Sequence, residues 1–259
     1  MQPKIHQIYA QNSLRNFNYI IESSIGAVII DPYDAKQVIQ ALGNNTNILA
    51  IINTHEHHDH IRGNKELKQL YQCEVLVHQN ALHVVPEADR AMSSGDKIDL
   101  AQGWCLEVID TPGHTFSHLC LLLKNEGKVK AVFSGDTMFN AGVGNCHNGG
   151  DPSILYETIR DYFQTLEDDV VLYPGHDYLR NNLGFTLDRE PTNLEAKRWQ
   201  EKHLQLDQNK EFFQTKMKDE RLINTFLRLD QASIIDNLPN HVQDEKSVFI
   251  TLRELRNKW

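Results

Sequence analysis

Residues Thr54-His55-Glu56-His57-His58-Asp59-His60 crowd four imidazoles and an aspartate into one short segment. Within it, His55, His57, Asp59 and His60 form the pattern H-x-H-x-D-H. Alternate residues leaving a strand point to the same side, so His55 and His57 can share one metal ion, while a tight turn brings Asp59 and His60 to a neighbouring position. Two ions need more ligands than these. Three later segments offer them: His114 in Asp110-Thr111-Pro112-Gly113-His114, Asp136 in Ser134-Gly135-Asp136-Thr137, and His176 in Tyr173-Pro174-Gly175-His176. A glycine precedes each, which permits close backbone approach in a crowded site. The spacing predicts His55, His57 and His114 on one metal, Asp59, His60 and His176 on the other, and Asp136 bridging, because an anionic oxygen shared by two ions offsets their repulsion. His114 or His176 alone would read as an ordinary strand-end histidine. The ordered set of seven is what points to a metal centre.

These residues need strand ends to hold them. Segments 4–10, 16–23 and 27–32 read as strands, followed by a helix over 34–42 with Asp34 as its cap and Gly43 just past its end. A strand over 48–53 runs into the histidine cluster, a helix follows over 63–71, and strands follow at 74–78 and around 97–123. The strand at 130–136 ends in Asp136, a Gly-rich loop spans 141–152, a helix covers 153–163, and the strand at 170–175 leads to His176. Every candidate ligand therefore sits at or just past the C-terminal end of a strand. Strand signals stop near 186, and 192–206 and 210–229 read as helices. The predicted division is a metal-binding catalytic part over 1–183 and a helical part over 184–259.

Composition narrows the function classes. The 259 residues carry 26 Lys and Arg against 35 Asp and Glu, a net charge of −9, which disfavours a nucleic-acid backbone as main partner. Two bound divalent ions would bring that to −5. The four cysteines share no C-x-x-C spacing and read as reduced thiols. No window has the ~18 consecutive apolar residues of a membrane span, and no signal peptide is apparent, so the expected location is cytoplasmic, away from membranes. Of the other histidines, His58, His78, His83, His118, His147, His203 and His241 have a structural reading, with His118 also a candidate partner that orients a ligand.

The chain resembles the metallo-β-lactamase superfamily and, within it, the hydroxyacylglutathione hydrolases (glyoxalase II). The resemblance rests on THEHHDHIRGN, IDTPGHTFSHLC, VFSGDTMFNAGVGN, YPGHDYLRNNLGFTLDREPTN and the late NTFLR. It implies an α+β fold, an αββα sandwich with a small C-terminal helical domain that binds substrate. It also implies two divalent metal ions per chain, zinc first and iron or manganese as alternatives. The implied reaction is attack of a metal-bridging hydroxide on an acyl thioester, with Asp59 and Asp136 as catalytic carboxylates and S-(2-hydroxyacyl)glutathione as substrate. A thiolate leaves readily, so no strong general acid is demanded.

The same resemblance implies substrate contacts at Tyr178, two residues after His176, and at Arg228 in NTFLR. In the loop after Asp136, Asn145 and His147 stand where family members carry lysine and tyrosine, a departure that bears on glutathione binding more than on hydrolysis. Other readings are a mononuclear-iron dioxygenase acting on glutathione persulfide, a hydrolase of another thioester or ester, a nuclease, and a non-catalytic member. The expected partner is a small glutathione-derived thioester, and the expected assembly a monomer or homodimer.

Overall fold

A computed structural model describes residues 2–42, 46–239, 242 and 244–259. Gly43 and His241 lie outside the described residues. The chain divides into two compact units, one of Met1–Thr111 with Ser117–Gly135, the other of Pro112–Phe116 with Asp136–Trp259.

In the first unit, β1 (Lys4–Tyr9), β2 (Phe17–Ser23) and β3 (Gly26–Ile30) form an antiparallel meander. The sheet continues in parallel through β4 (Ile48–Ile52), β5 (Val75–His78) and β6 (Arg90–Met92). The parallel connections require crossovers. Helix α1 (Ala35–Leu42) supplies the first, while α2 (His58–Ile61) and α3 (Asn64–Tyr71) lie between β4 and β5. Asp34 caps α1 as expected, accepting from Lys36 N at 2.9 Å.

Register explains why β2, β3 and β4 are almost continuously apolar. Ile20, Ile29 and Ile51 lie side by side and pack with Val38 of α1 and Leu67 of α3. Their neighbours in sequence, Tyr19, Ile30 and Ile52, point to the opposite face, where the Tyr19 ring meets Phe133 of the second sheet at 5.1 Å. Both faces are covered, so strand positions of either parity are buried. Each such side chain contributes about 2 kcal/mol. The second sheet carries β7 (Lys97–Asp99), β8 (Trp104–Asp110), β9 (Leu119–Asn125) and β10 (Lys128–Gly135), antiparallel in that order.

The second unit opens with a two-stranded hairpin, β11 (Met138–Phe139) and β12 (Gly142–Val143). Helix α4 (Pro152–Thr158) follows, capped by Asp151, which accepts from Ser153 N and Ile154 N, and continues as a π-helical turn over Ile159–Phe163. After β13 (Val171–Pro174) the unit is helical: α5 (Leu179–Arg189), α6 (Leu194–His203), α7 (Met217–Ile223), α8 (Ala232–Ile235) and α9 (Glu245–Lys258).

One expectation changes here. The helix predicted over 210–229 begins only at Met217, because Thr215 and Lys216 are extended: Leu172 N donates to Thr215 O and Met217 N to Val170 O. Asn224 then ends it in an extended conformation. The predicted division at 183/184 falls within α5 (Leu179–Arg189).

Candidate metal and substrate site

Strand β4 delivers the histidine cluster. After Ile52 the chain bends at Thr54 and His55, is extended again at His57, whose φ and ψ are −62° and 142°, and then enters α2. His55 and His57 meet, with His55 Nε2 3.0 Å from His57 Nδ1. The turn expected after them is this one-turn helix, and it sets His60 Nε2 3.5 Å from Asp59 Oδ2. The His55 and His60 rings lie 4.1 Å apart.

Buried Asp31, just past β3, decides how these rings are protonated. Its Oδ2 accepts from His60 Nδ1 at 2.9 Å and from the Thr54 hydroxyl at 2.7 Å. Because the Thr54 proton is committed to Asp31, Thr54 Oγ1 accepts from His55 Nδ1 at 3.0 Å. His60 and His55 are thus protonated at Nδ1 and present lone pairs at Nε2. The lone pair of His55 Nε2 accepts from His57 Nδ1 at 3.0 Å, and imidazole with carboxylate suits a borderline divalent ion. Asn16 Nδ2 donates to Asp59 Oδ2 at 2.8 Å, and the His118 ring, held by Thr111 Oγ1 at 2.9 Å, stacks on His55 at 4.9 Å.

The second unit holds the other three candidates. His114 Nε2 lies 3.5 Å from Asp136 Oδ2, and His176 Nε2 lies 3.2 Å from Asp136 Oδ1. Each carboxylate oxygen thus faces a different imidazole. His114 Nδ1 donates to the Asn145 carbonyl at 2.6 Å, which again leaves the lone pair on Nε2. Close approach is enforced at two glycines. A Cβ on Gly113 would lie 2.4 Å from Leu155 Cα, and one on Gly144 would lie 2.0 Å from the Asp136 carbonyl oxygen and 3.0 Å from His114 Nδ1.

Beside His176, the second unit contains a cavity of about 220 Å³ lined by residues including Phe139, Asn145, His147, Tyr178, Arg253 and Arg256. The Tyr178 ring stacks on His176 at 4.9 Å with 4° between planes, and Phe139 stands edge-on to both. Asn145 Oδ1 accepts from His147 N at 3.1 Å. Arg253 is buried against neutral partners only, donating to Val143 O, Gly144 O and Asn257 Oδ1. Burial and, to a lesser degree, the charge of Arg256 bring its pKa down to about 10. Among the described lining residues there is no carboxylate.

Arg228 stands elsewhere. Its guanidinium donates to both oxygens of buried Glu190, at 2.7 and 3.2 Å, and Ser233 and Asn193 donate to the same carboxylate. Although burial pushes the Glu190 pKa up, these hydrogen bonds hold it below the usual carboxylate range. The arginine expected to bind substrate is therefore a structural ion pair, and the cavity's guanidiniums come from α9. Sequence reading missed Arg253 and Arg256, and also Asp31 and Asn16.

A two-sheet core with helices and a histidine and aspartate set at strand ends defines a class, and the family comparison gives the same class. A family model of the metallo-beta-lactamase superfamily matches residues 15–176, and one of the hydroxyacylglutathione hydrolase C-terminus matches 177–259. The chain is 44% identical to a hydroxyacylglutathione hydrolase of Nitrosococcus oceani over 98% of its own length and 99% of that relative. It is 32% identical to the cytoplasmic hydroxyacylglutathione hydrolase of Arabidopsis thaliana, covering 94% and 93%. Among solved structures, ETHE1 from Myxococcus xanthus superposes with a TM-score of 0.68 at 24% identity, over 97% of this chain and 90% of that one, a likeness of fold. The chain belongs to the hydroxyacylglutathione hydrolase family of the metallo-beta-lactamase superfamily.

Proposed function

We propose that the chain hydrolyses S-(2-hydroxyacyl)glutathione, such as S-D-lactoylglutathione, to the hydroxy acid and glutathione. The observation that carries this reading is the cavity beside His176, where Arg253 and Arg256 stand among neutral partners with no acid in the described lining. A tripeptide thiol with two carboxylates fits that charge. Family membership over nearly the full length supports the reaction class.

For the metals, we assign His55, His57 and His114 to one ion, Asp59, His60 and His176 to the other, and Asp136 to both. The support is the pairing of donors: His55 with His57, Asp59 with His60, and one Asp136 oxygen toward each of His114 and His176. Zinc suits these donors, as do iron and manganese. When bound, such ions would bring the pKa of a water down to about 7 and supply positive charge for the carbonyl oxygen.

The chain's own residues do the rest. Asp31 and the Asn145 carbonyl hold His60, His55 and His114 in the tautomers that present Nε2. Tyr178 and Phe139 form an aromatic wall over His176 that keeps water from that side. Arg256, which donates to Asn182 Oδ1 at 3.3 Å, and His147 and Asn145 orient the thiol half. The leaving thiolate, with a pKa of about 8.5, departs without an acid. We keep Asp59 and Asp136 as the catalytic carboxylates, place substrate binding mainly in the helical part after 183, and assign the chain to the cytoplasm. Among the described residues no helix is long and apolar enough to cross a membrane.

The test is loss of thioester absorbance with S-D-lactoylglutathione, using protein restored to two zinc ions per chain. Turnover abolished in His57→Ala is the expected result. Wild-type protein that binds both ions yet leaves the thioester intact would sink the reading, and oxygen uptake with glutathione persulfide would replace it with the dioxygenase.

A further inference from the structure

Helix α7 carries a carboxylate that the mechanism does not use. Glu220 is wholly buried, and the described structure shows no cation bonded to it. Its Oε2 accepts from Ala141 N at 2.8 Å and from Asn224 Nδ2 at 3.0 Å, and its Oε1 accepts from the Thr215 hydroxyl at 2.6 Å. Burial pushes its pKa up to about 7 against the pull of these donors. A group so costly to bury is retained where it holds something in place.

What it holds is the turn of the β11–β12 hairpin. Ala141 sits at φ +57°, a left-handed conformation that a residue with a Cβ rarely adopts and that needs support from its surroundings. The residues of that turn are tied to Thr215, to α5 and to the end of α7: Asn140 Nδ2 donates to Thr215 Oγ1, Asn182 Nδ2 donates to Asn140 O, and Asn224 Nδ2 donates to Gly142 O. Asn224 is the first residue of the NTFLR segment, which the metal chemistry leaves unexplained. The hairpin in turn carries Phe139, packed on His176 and Tyr178, and leads to Asn145, whose carbonyl fixes His114.

We propose that Glu220 is a positioning residue: its carboxylate, relayed by Thr215 and Asn224, fixes the Asn140–Gly144 turn and through it the wall of the thiol-binding cavity. The consequence for substrate rests on the hydrolase reading above. The consequence for the turn does not.

The experiment combines amide hydrogen exchange by mass spectrometry with steady-state kinetics on the full-length zinc-loaded chain. Glu220→Ala should speed exchange of peptide 138–145 by at least ~10-fold while β2, β3 and β4 stay protected. KM for S-D-lactoylglutathione should rise about tenfold, with kcat within about threefold. Glu220→Gln should restore most of the protection and most of the affinity, because its carbonyl can accept from Ala141 N and its amide can donate to Thr215 Oγ1. If Glu220→Ala does not fold, Asn224→Ala should give the same local effect at smaller size. Unchanged exchange at 138–145 in whichever variant folds overturns the proposal, as does exchange accelerated evenly over the whole chain. Wild-type protein without thioesterase activity would end the hydrolase reading while leaving exchange to decide on Glu220.

Discussion

Asp31 Oδ2 accepts a proton-bearing nitrogen of His60 at 2.9 Å, and the same carboxylate, through Thr54, sets the proton on His55. One acid behind the histidine cluster thus fixes two tautomers. Asp31→Asn turns one of those acceptors into a donor and confronts it with N–H or O–H groups. Metal affinity, measured by competition with a chromophoric chelator, should fall tenfold to about a hundredfold. Unchanged affinity would show that His55 and His60 need no such support.

The two arginine environments make opposite forecasts. Arg256→Leu removes a cation from the cavity and should raise KM for the glutathione thioester about tenfold to a hundredfold, the loss of one charged hydrogen bond of about 1.5–3 kcal/mol, with kcat little changed. Arg228→Met strands buried Glu190 and should cost about 3–5 kcal/mol in urea unfolding while KM stays as it was. A KM effect at Arg228 without lost stability would return that residue to the substrate.

Glu220 gives stability a pH dependence of definite sign. Its carboxyl is raised from 4.5 to about 7 in the folded chain, so between those values the folded state keeps a proton that the unfolded state has released. Stability from this group is therefore present below pH 4.5, declines as pH rises, and levels off above about 7. Comparing wild type with Glu220→Gln by urea unfolding at matched pH, the difference should move toward the variant by ~3 kcal/mol between pH 4 and 8. A difference independent of pH would mean that the carboxyl titrates normally.

In the loop after Asp136, Asn145→Lys places an ammonium at the cavity rim. KM for glutathione thioesters should drop about threefold, the size of a part-exposed charge contact. No change would separate that side chain from the substrate.

The seven candidate ligands stand out in the sequence because four of them sit in one short segment and each of the other three follows a glycine. The supporting shell does not. Asp31 and Asn16 come from β-strand ends far upstream, where a lone acid or amide looks like any turn residue. Arg253 and Arg256 lie in α9, where no motif sets one basic residue of a mixed-charge segment apart from another, although Arg253 is 5% exposed. NTFLR drew attention to Arg228, yet Asn224 bears on the hairpin, and only the folding of α5 and α7 around residues 140–142 makes that visible. Local periodicity announces strands and their ends, while long-range hydrogen bonds leave no local trace.

At position 144 the Asp136 carbonyl leaves no room for a Cβ, and at Gly150 a Cβ would come within 2.1 Å of the Gly113 carbonyl. Both ends of the intervening stretch are therefore closed to variation, while 145 and 147 face the cavity. Descendants of this chain that acquire a new thiol preference can record the change at those two sites, so comparing residues 145 and 147 across such lineages would give a short written history of what each enzyme accepts.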